Sequence, residues 1–253
     1  MNISVIFPAY NEAASLGPTI ERALAALRPR FAEFEVIIVD DASTDATGQA
    51  ARDLTRVHPE VRVIRNATNL GQGHSILVGF QHARGDVVLH NAVDYPFDLR
   101  DLDRMVPLLL AGADVVVAQR LRRSGYTSYR KLLSVVNRGL LQLLFGLKLY
   151  DYNFVQLYRR EVVRAVRVQA RSTGFVTPEL LIRAHDAGFR LVETDVEYHP
   201  RVSGTATSGR PRIIIASLRD MFRFWWERRR MRARRASNES ITAGVRRRGA
   251  SSR

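Results

Sequence analysis

The chain has 253 residues, 46% hydrophobic and 25% charged, enough for one large α/β domain or two small ones, which excludes wholesale disorder and collagen-like chains. It has no cysteine, so structural disulfides, thiolate zinc sites and cysteine nucleophiles are excluded. Its net charge of +14 sits at the C-terminal end: residues 201–253 hold 15 of the 39 Lys and Arg but 3 of the 25 Asp and Glu, a distribution suited to an anionic partner, lipid surface or nucleic acid.

Met1 leads straight into the first strand-like run, Ile3–Phe7, without a basic leader, so no signal peptide is expected. Helix-like spacing over Leu16–Leu27 precedes a second apolar run, Glu35–Val39, and the alternation continues through Asp45–Val57, Val61–Arg65, His74–Ala83, Asp86–Leu89, Leu99–Leu110 and Asp114–Ala118. Apolar runs alternating with amphipathic helices are the mark of βαβ units, hence a Rossmann-like, mostly parallel sheet with helices on both faces.

After Arg120 the rhythm changes. Tyr129–Leu147 reads as a helix, Val155–Arg167 is mixed, Thr177–Ala187 reads as a helix stopped by Gly188, and Leu191–Tyr198 as a strand. Leu132–Leu149 is interrupted by Asn137, Arg138, Gln142 and Lys148, and no stretch approaches the roughly 20 apolar residues that span a bilayer. In Ile213–Arg230, Ile, Leu, Phe and Trp alternate with arginines, as in a helix lying in a lipid headgroup layer. The expected organisation is an α/β domain over 1–210, an amphipathic interface helix over 211–230 and a basic disordered tail over 231–253.

Ligands of an open parallel sheet bind beyond the carboxyl ends of its strands. The segments there are Pro8-Ala9-Tyr10-Asn11-Glu12, Asp40-Asp41-Ala42-Ser43-Thr44-Asp45, Asn91-Ala92-Val93-Asp94 and Gln119-Arg120. Carboxylates on such a rim can hydrogen-bond a base or ribose and hold a cation against a diphosphate, and Arg120 can neutralise phosphate. Ser43 and Asp45 are explained by helix capping, but two adjacent acids before them exceed what a cap needs. The glycines of Asn69–Gly73 lack dinucleotide spacing, and there is no Walker A motif, G-x-S-x-G elbow or H-E-x-x-H pair.

The run Ser4-Val5-Ile6-Phe7-Pro8-Ala9-Tyr10-Asn11-Glu12, then Val39–Asp45, then Asn69-Leu70-Gly71, resembles the inverting family 2 glycosyltransferases of GT-A fold, most of all the dolichyl-phosphate and polyprenyl-phosphate sugar synthases. The resemblance spans about residues 1–210. It implies a nucleotide-sugar donor held by Pro8, Tyr10, Glu12, Val39 and Asp41, with Asn91 and Ala92 beside it. It also implies phosphate contacts from Arg120 and from Arg201 in Arg201-Val202-Ser203-Gly204; Asp151–Phe154 and Glu179 occupy further family-like positions. Mg²⁺ or Mn²⁺ is the implied cofactor.

The chain departs from the family at the Asp-x-Asp of the fourth-strand loop, which here reads His90-Asn91-Ala92-Val93-Asp94. An asparagine oxygen ligates a hard cation without bringing charge, and valine does not ligate at all, so Asp94 and Asn91 are the candidate metal ligands. Two common lysines are replaced by Gln72 and Thr207. Pro96 suits a turn and Asp98 a helix N-cap.

The expected reaction is inverting transfer of a sugar from a nucleoside diphosphate to a polyprenyl phosphate, with Asp94, Arg120 and Arg201 stabilising the departing diphosphate. Arg130 and Lys131 would face the acceptor phosphate, and the protein would sit in the cytoplasm, peripheral to the anionic inner face of the membrane. The alternatives are a saccharide or other hydroxyl acceptor, needing a base at Asp94 or His90, and a non-catalytic nucleotide-sugar-binding scaffold. Nucleic acid ranks last as a partner, since the body shows no basic face and no aromatic stacking motif.

Overall fold

The computed structural model describes residues 1–120, 128–197 and 211–250, with backbone alone for 128, 130 and 232–250. Its elements are β1 (Ile3–Ala9), α1 (Ala13–Leu27), β2 (Phe34–Asp40), α2 (Thr47–Val57), β3 (Val61–Arg65), α3 (Gln72–His82) and β4 (Val87–His90). A 3-10 turn at Leu99–Asp101 then leads into α4 (Leu102–Leu110), β5 (Val115–Arg120), α5 (Ser128–Phe145), β6 (Gln156–Arg159), α6 (Arg160–Ala165), α7 (Val176–Asp186), β7 (Leu191–Val196) and α8 (Pro211–Ala250).

The strands form one seven-stranded sheet in the order β3-β2-β1-β4-β6-β5-β7. All pairs are parallel except those of β6, which runs antiparallel to β4 and β5. The first four strands are the βαβ alternation read from the sequence, and β6 is the strand that reading leaves out.

Both faces of the sheet are covered, which is why the central strands β1 and β4 are buried along their whole length. Ile3, Val5, Phe7, Val36 and Ile38 enter one core with α1, α2 and α4. Ile6, Ile37, Val39, Val88 and Tyr158 enter the other with α3, α5, α7 and α8. Each fully buried Val, Ile, Leu or Phe contributes about 1.5–3 kcal/mol. α3 lies so close to β1 that a Cβ on Gly79 would collide with Ile6. Gly188, at φ 89, ends α7 with its N–H on His185 and that of Phe189 on Ala184, as the sequence indicates.

α8 is part of the domain core. Its inward side chains Met221 and Phe224 belong to the second core, and Phe224 stacks on Phe145 of α5 at 5.4 Å. Asp220 accepts the backbone N–H of Arg171 and Ser172 at 2.9 and 2.8 Å. Arg228 donates twice to Asp186, at 2.5 and 2.6 Å, and once to the Phe145 carbonyl at 3.0 Å. The helix also continues to Ala250, beyond the expected boundary at Arg230; Arg and Ala are good helix formers, and no proline interrupts this stretch.

Candidate functional site

Sheet order places the ends of β2, β1 and β4 side by side, with Pro8 opposite Val39 and Ile6 opposite His90. β1 therefore runs three residues past its pairing with His90, and the end of β4 forms a step beside it. Among the described residues, those with positive φ other than glycine are Asn11 (55°), Ala42 (60°) and Tyr95 (48°). They fall in the loops after β1, β2 and β4. Such conformations cost on the order of 1–3 kcal/mol each and persist where surrounding contacts enforce them.

Those contacts are explicit between the first two loops. The N–H of Asn11 donates to Ser43 Oγ at 3.1 Å, the N–H of Thr44 donates to Asn11 Oδ1 at 2.9 Å, and the N–H of Glu12 donates to Thr47 Oγ1 at 2.8 Å. Asp45 accepts the N–H of Thr47 at 2.9 Å, so it supports the start of α2 as expected. Ser43 does not cap that helix; its hydroxyl joins the two loops. Beside this clasp the Tyr10 ring is 45% exposed, while Pro8 and Val39 are buried in the sheet.

The paired acids divide their work. Asp40 accepts the N–H of Ser43 at 2.9 Å and pairs with Arg65. Asp41, only 2% exposed, accepts from Asn66 Nδ2 at 2.7 Å and from the N–H groups of Leu70 and Gly71 at 2.9 and 2.7 Å. Asn66 also donates to Ser75 Oγ at 3.0 Å. Asp41 thus carries the glycine turn, in which Gly71 takes φ 83°, and joins the β2 end to the start of α3. Asn66 is a residue that motif reading misses, since only the fold brings it to Asp41.

The loop after β4 is pinned at every turn. Asn91 is fully buried; its Nδ2 donates to the Phe97 carbonyl at 2.8 Å and its Oδ1 accepts the N–H of Ala92 at 3.0 Å. The Val93 side chain is in the first core, and its carbonyl accepts Thr19 Oγ1 at 2.5 Å. Arg22 of α1 reaches Asp98 at 2.9 Å and lies 4.1 Å over the Tyr95 ring. Asp98 caps the 3-10 turn, as expected, by accepting the N–H of Arg100 at 3.0 Å. Burial pushes the Asp98 pKa up, but hydrogen bonds from Arg100 and Arg22 outweigh it and hold this carboxyl well below the usual range.

This donor set does not fit a cation site of the Asp-x-Asp kind. The amide expected to ligate, Asn91, is committed within its own loop, and Val93 has no ligand atom. Asp94, half-buried, is the one carboxylate between His90 and Phe97. Among the described residues no three His, Asp or Glu side chains converge to hold a metal.

Arg120 ends β5, separated from β4 by β6. Its guanidinium pairs with Asp151 at 2.6 Å, both side chains nearly buried, and lies 4.8 Å over the Phe154 ring. Asn153 donates to the Gly174 carbonyl at 2.8 Å. Glu179 acts as a staple, accepting the N–H of Gln169 and Ala170 at 3.0 and 2.6 Å and Arg183 Nε at 2.7 Å. His90 sits edge-on to Phe80 with Nδ1 buried and without a hydrogen-bond partner; burial lowers its pKa to about 4.

The structure therefore groups Pro8, Tyr10, Glu12, Val39 and Asp41 at adjoining strand ends, with Asn91, Ala92 and Asp94 on the neighbouring one and Arg120 two strands further. Lys131 is exposed on α5, and Arg130 is placed there by its backbone. Arg201 and Thr207 lie outside the described residues. A separate cleft of about 490 Å³ at the β5–β7 edge is lined by Arg104, Gln119, Glu193, Thr194 and Asp195; its acidic lining is unsuited to a diphosphate.

The sequence model of glycosyl transferase family 2 matches residues 4–167. An undecaprenyl-phosphate 4-deoxy-4-formamido-L-arabinose transferase of Pectobacterium atrosepticum is 34% identical over 209 residues, 81% of this chain and 62% of that protein. A dodecaprenyl-phosphate galacturonate synthase of Rhizobium johnstonii is 29% identical over 228 residues, 88% of this chain and 67% of its own. The chain thus spans about 62% of the length of the first of these.

Among solved structures, glucosyl-3-phosphoglycerate synthase of Mycobacterium tuberculosis, with Mn²⁺, UDP-glucose and phosphoglyceric acid, matches with TM-score 0.68 and 21% identity over 88% of this chain and 79% of its own. A mannosyltransferase of Pyrobaculum calidifontis with GDP-Man and Mn²⁺ matches with TM-score 0.57 and 21% identity over 81% of this chain and 58% of that one. At such identity the likeness concerns the fold, which is the GT-A arrangement expected from the sequence.

Proposed function

The chain belongs to glycosyl transferase family 2, and on that premise we propose that it moves a sugar from a nucleoside diphosphate to a polyprenyl phosphate at a membrane surface, inverting the anomeric carbon. The observation that carries this reading is the clasped rim at the ends of β1 and β2, with an exposed aromatic ring beside buried, fully engaged acids. A base would rest against Tyr10 and the Pro8–Val39 edge. Asp41 acts by holding the glycine turn in place, and Glu12 is the half-buried carboxylate within reach of a ribose.

A phosphomonoester is largely ionised at neutral pH, with a second pKa near 6, so the acceptor needs no strong base. Its oxygen attacks the anomeric carbon from the face opposite the diphosphate. The bond from that carbon to the diphosphate oxygen breaks, and the nucleoside diphosphate leaves with the electron pair. Catalysis then rests on alignment and on neutralising the leaving group. Arg120, aimed by Asp151 and Phe154, and Arg201 serve the leaving diphosphate; Asp94 orients the donor from the neighbouring loop; Arg130 and Lys131 meet the acceptor phosphate.

The lipid acceptor is supported by two helices with outward apolar stripes. On α5 these are Tyr129, Leu132, Val136 and Leu143, and on α8 Ile215, Phe222 and Trp226, all exposed. They recur at helical spacing, and exposed arginines accompany those of α8. No described helix is long and apolar enough to cross a membrane. The anionic inner leaflet is the surface this arrangement suits.

The test is transfer of labelled sugar from a panel of nucleotide-sugars into vesicles with and without undecaprenyl phosphate. Label in the lipid phase only when that acceptor is present supports the proposal. Donor turnover with label passing to a soluble hydroxyl acceptor contradicts it, as does donor binding without turnover.

A further inference from the structure

Building on that function, we infer that this chain holds the donor diphosphate without a resident divalent cation and meets its charge with arginine and lysine side chains. The loop after β4 is where a cation would be expected, and it is closed by other means. Asn91 satisfies the Phe97 carbonyl and the Ala92 N–H from a fully buried position. Val93 anchors the loop in the core, with its carbonyl held by Thr19. Arg22 and Arg100 neutralise Asp98 at its far end. Two carboxylates facing one another would repel until a cation arrived. In this loop an amide and an apolar side chain stand at those positions, so its shape is complete from the protein's own contacts.

The remaining carboxylate, Asp94, is a sparse ligand set. Magnesium prefers six oxygens and usually combines one or two carboxylates with substrate phosphates and water, so one carboxylate lies at the lower limit. Charge elsewhere compensates. Arg120 ends β5, opposite Val196 at the end of β7. Beyond it, Arg130 and Lys131 stand in the first turn of α5, where there is no Asp or Glu. A diphosphate presents negative oxygens that guanidinium groups bind in forked pairs, supplying both charge and direction.

The experiment is calorimetric titration of the full chain with UDP, GDP, CDP and dTDP, once in EDTA and once in millimolar Mn²⁺. For whichever probe binds, the inference expects dissociation constants that agree to within about threefold, under 1 kcal/mol. Binding that is tighter by more than that in Mn²⁺, or seen only there, overturns it while leaving the proposed function standing. Binding in neither condition overturns both. A Tyr10→Ala chain, altered only at an exposed side chain, should weaken binding equally in EDTA and Mn²⁺; weakening confined to Mn²⁺ counts against the inference.

Discussion

Arg120 and Asp151 meet at 2.6 Å as a nearly buried ion pair, with the guanidinium over the Phe154 ring. The pair joins the end of β5 to the loop before β6, so the arginine proposed to face the leaving diphosphate has its direction fixed in advance. Asp151→Ala should cost about 3–5 kcal/mol, because it removes one partner of a buried ion pair. Arg120→Lys keeps the charge but loses the fork and the stacking. It should lower transfer at least tenfold with a smaller loss of stability. Denaturant unfolding set beside turnover checks both, and equal turnover in Arg120→Lys would remove the assigned role.

Asp41 should act through the turn it carries. Asp41→Ala removes the acceptor for Asn66 and for the N–H groups of Leu70 and Gly71, a loss of about 1–3 kcal/mol for the buried part. Hydrogen exchange at Leu70 and Gly71 should accelerate selectively, and donor affinity should fall. Unchanged exchange there would show that the turn holds itself.

Much of this was legible in the sequence, because the first four strands lie between helices and carry their polar residues at one end. Reading the loops after the first, second and fourth strands puts Tyr10, Asp41 and Asp94 on adjoining strand ends, as the fold does. β6 escaped because Gln156–Arg159 is short, lacks a β-branched residue and is defined by antiparallel partners far away in sequence. The burial of Asn91 escaped for a similar reason: its partner Phe97 is close in sequence, but the loop between them is held by Thr19 and Arg22 on α1, which reach Val93 and Asp98. The placement of α8 was half read, since its outward aromatic and arginine pattern is visible while Asp220, Met221 and Arg228 acquire meaning only against α5, α7 and the 171–172 backbone.

His90 sets a pH dependence of stability. Its folded pKa, about 4, is below the unfolded value of about 6.5, so the unfolded chain takes up the proton first as pH falls. This contribution is complete above about pH 6.5 and declines toward pH 4 by on the order of 3 kcal/mol. The carboxylates held low, such as Asp98, lose their contribution only below the ordinary Asp range. His90→Leu should flatten the curve between about pH 6.5 and 4; an unchanged slope in urea unfolding would show that another group is responsible.

α8 should serve both the core and the lipid surface. A chain ending before Arg210 loses Met221, Phe224, Asp220 and Arg228 from their partners and should unfold well below the full chain, since several buried contacts are removed together. Replacing Ile215, Phe222 and Trp226 by Ser should leave thermal stability nearly unchanged and weaken binding to anionic vesicles. A truncated chain as stable as the full one would contradict the packing described for α8.

The account depends most on the loops after β1, β2 and β4 forming one donor site. Hydrogen exchange of the full chain, with and without the nucleoside diphosphate that binds it, tests this directly. The predicted result is joint protection at Tyr10–Asn11, Asp41–Ser43 and Ala92–Asp94; protection confined to the β5–β7 cleft, or to only one of those loops, would contradict it.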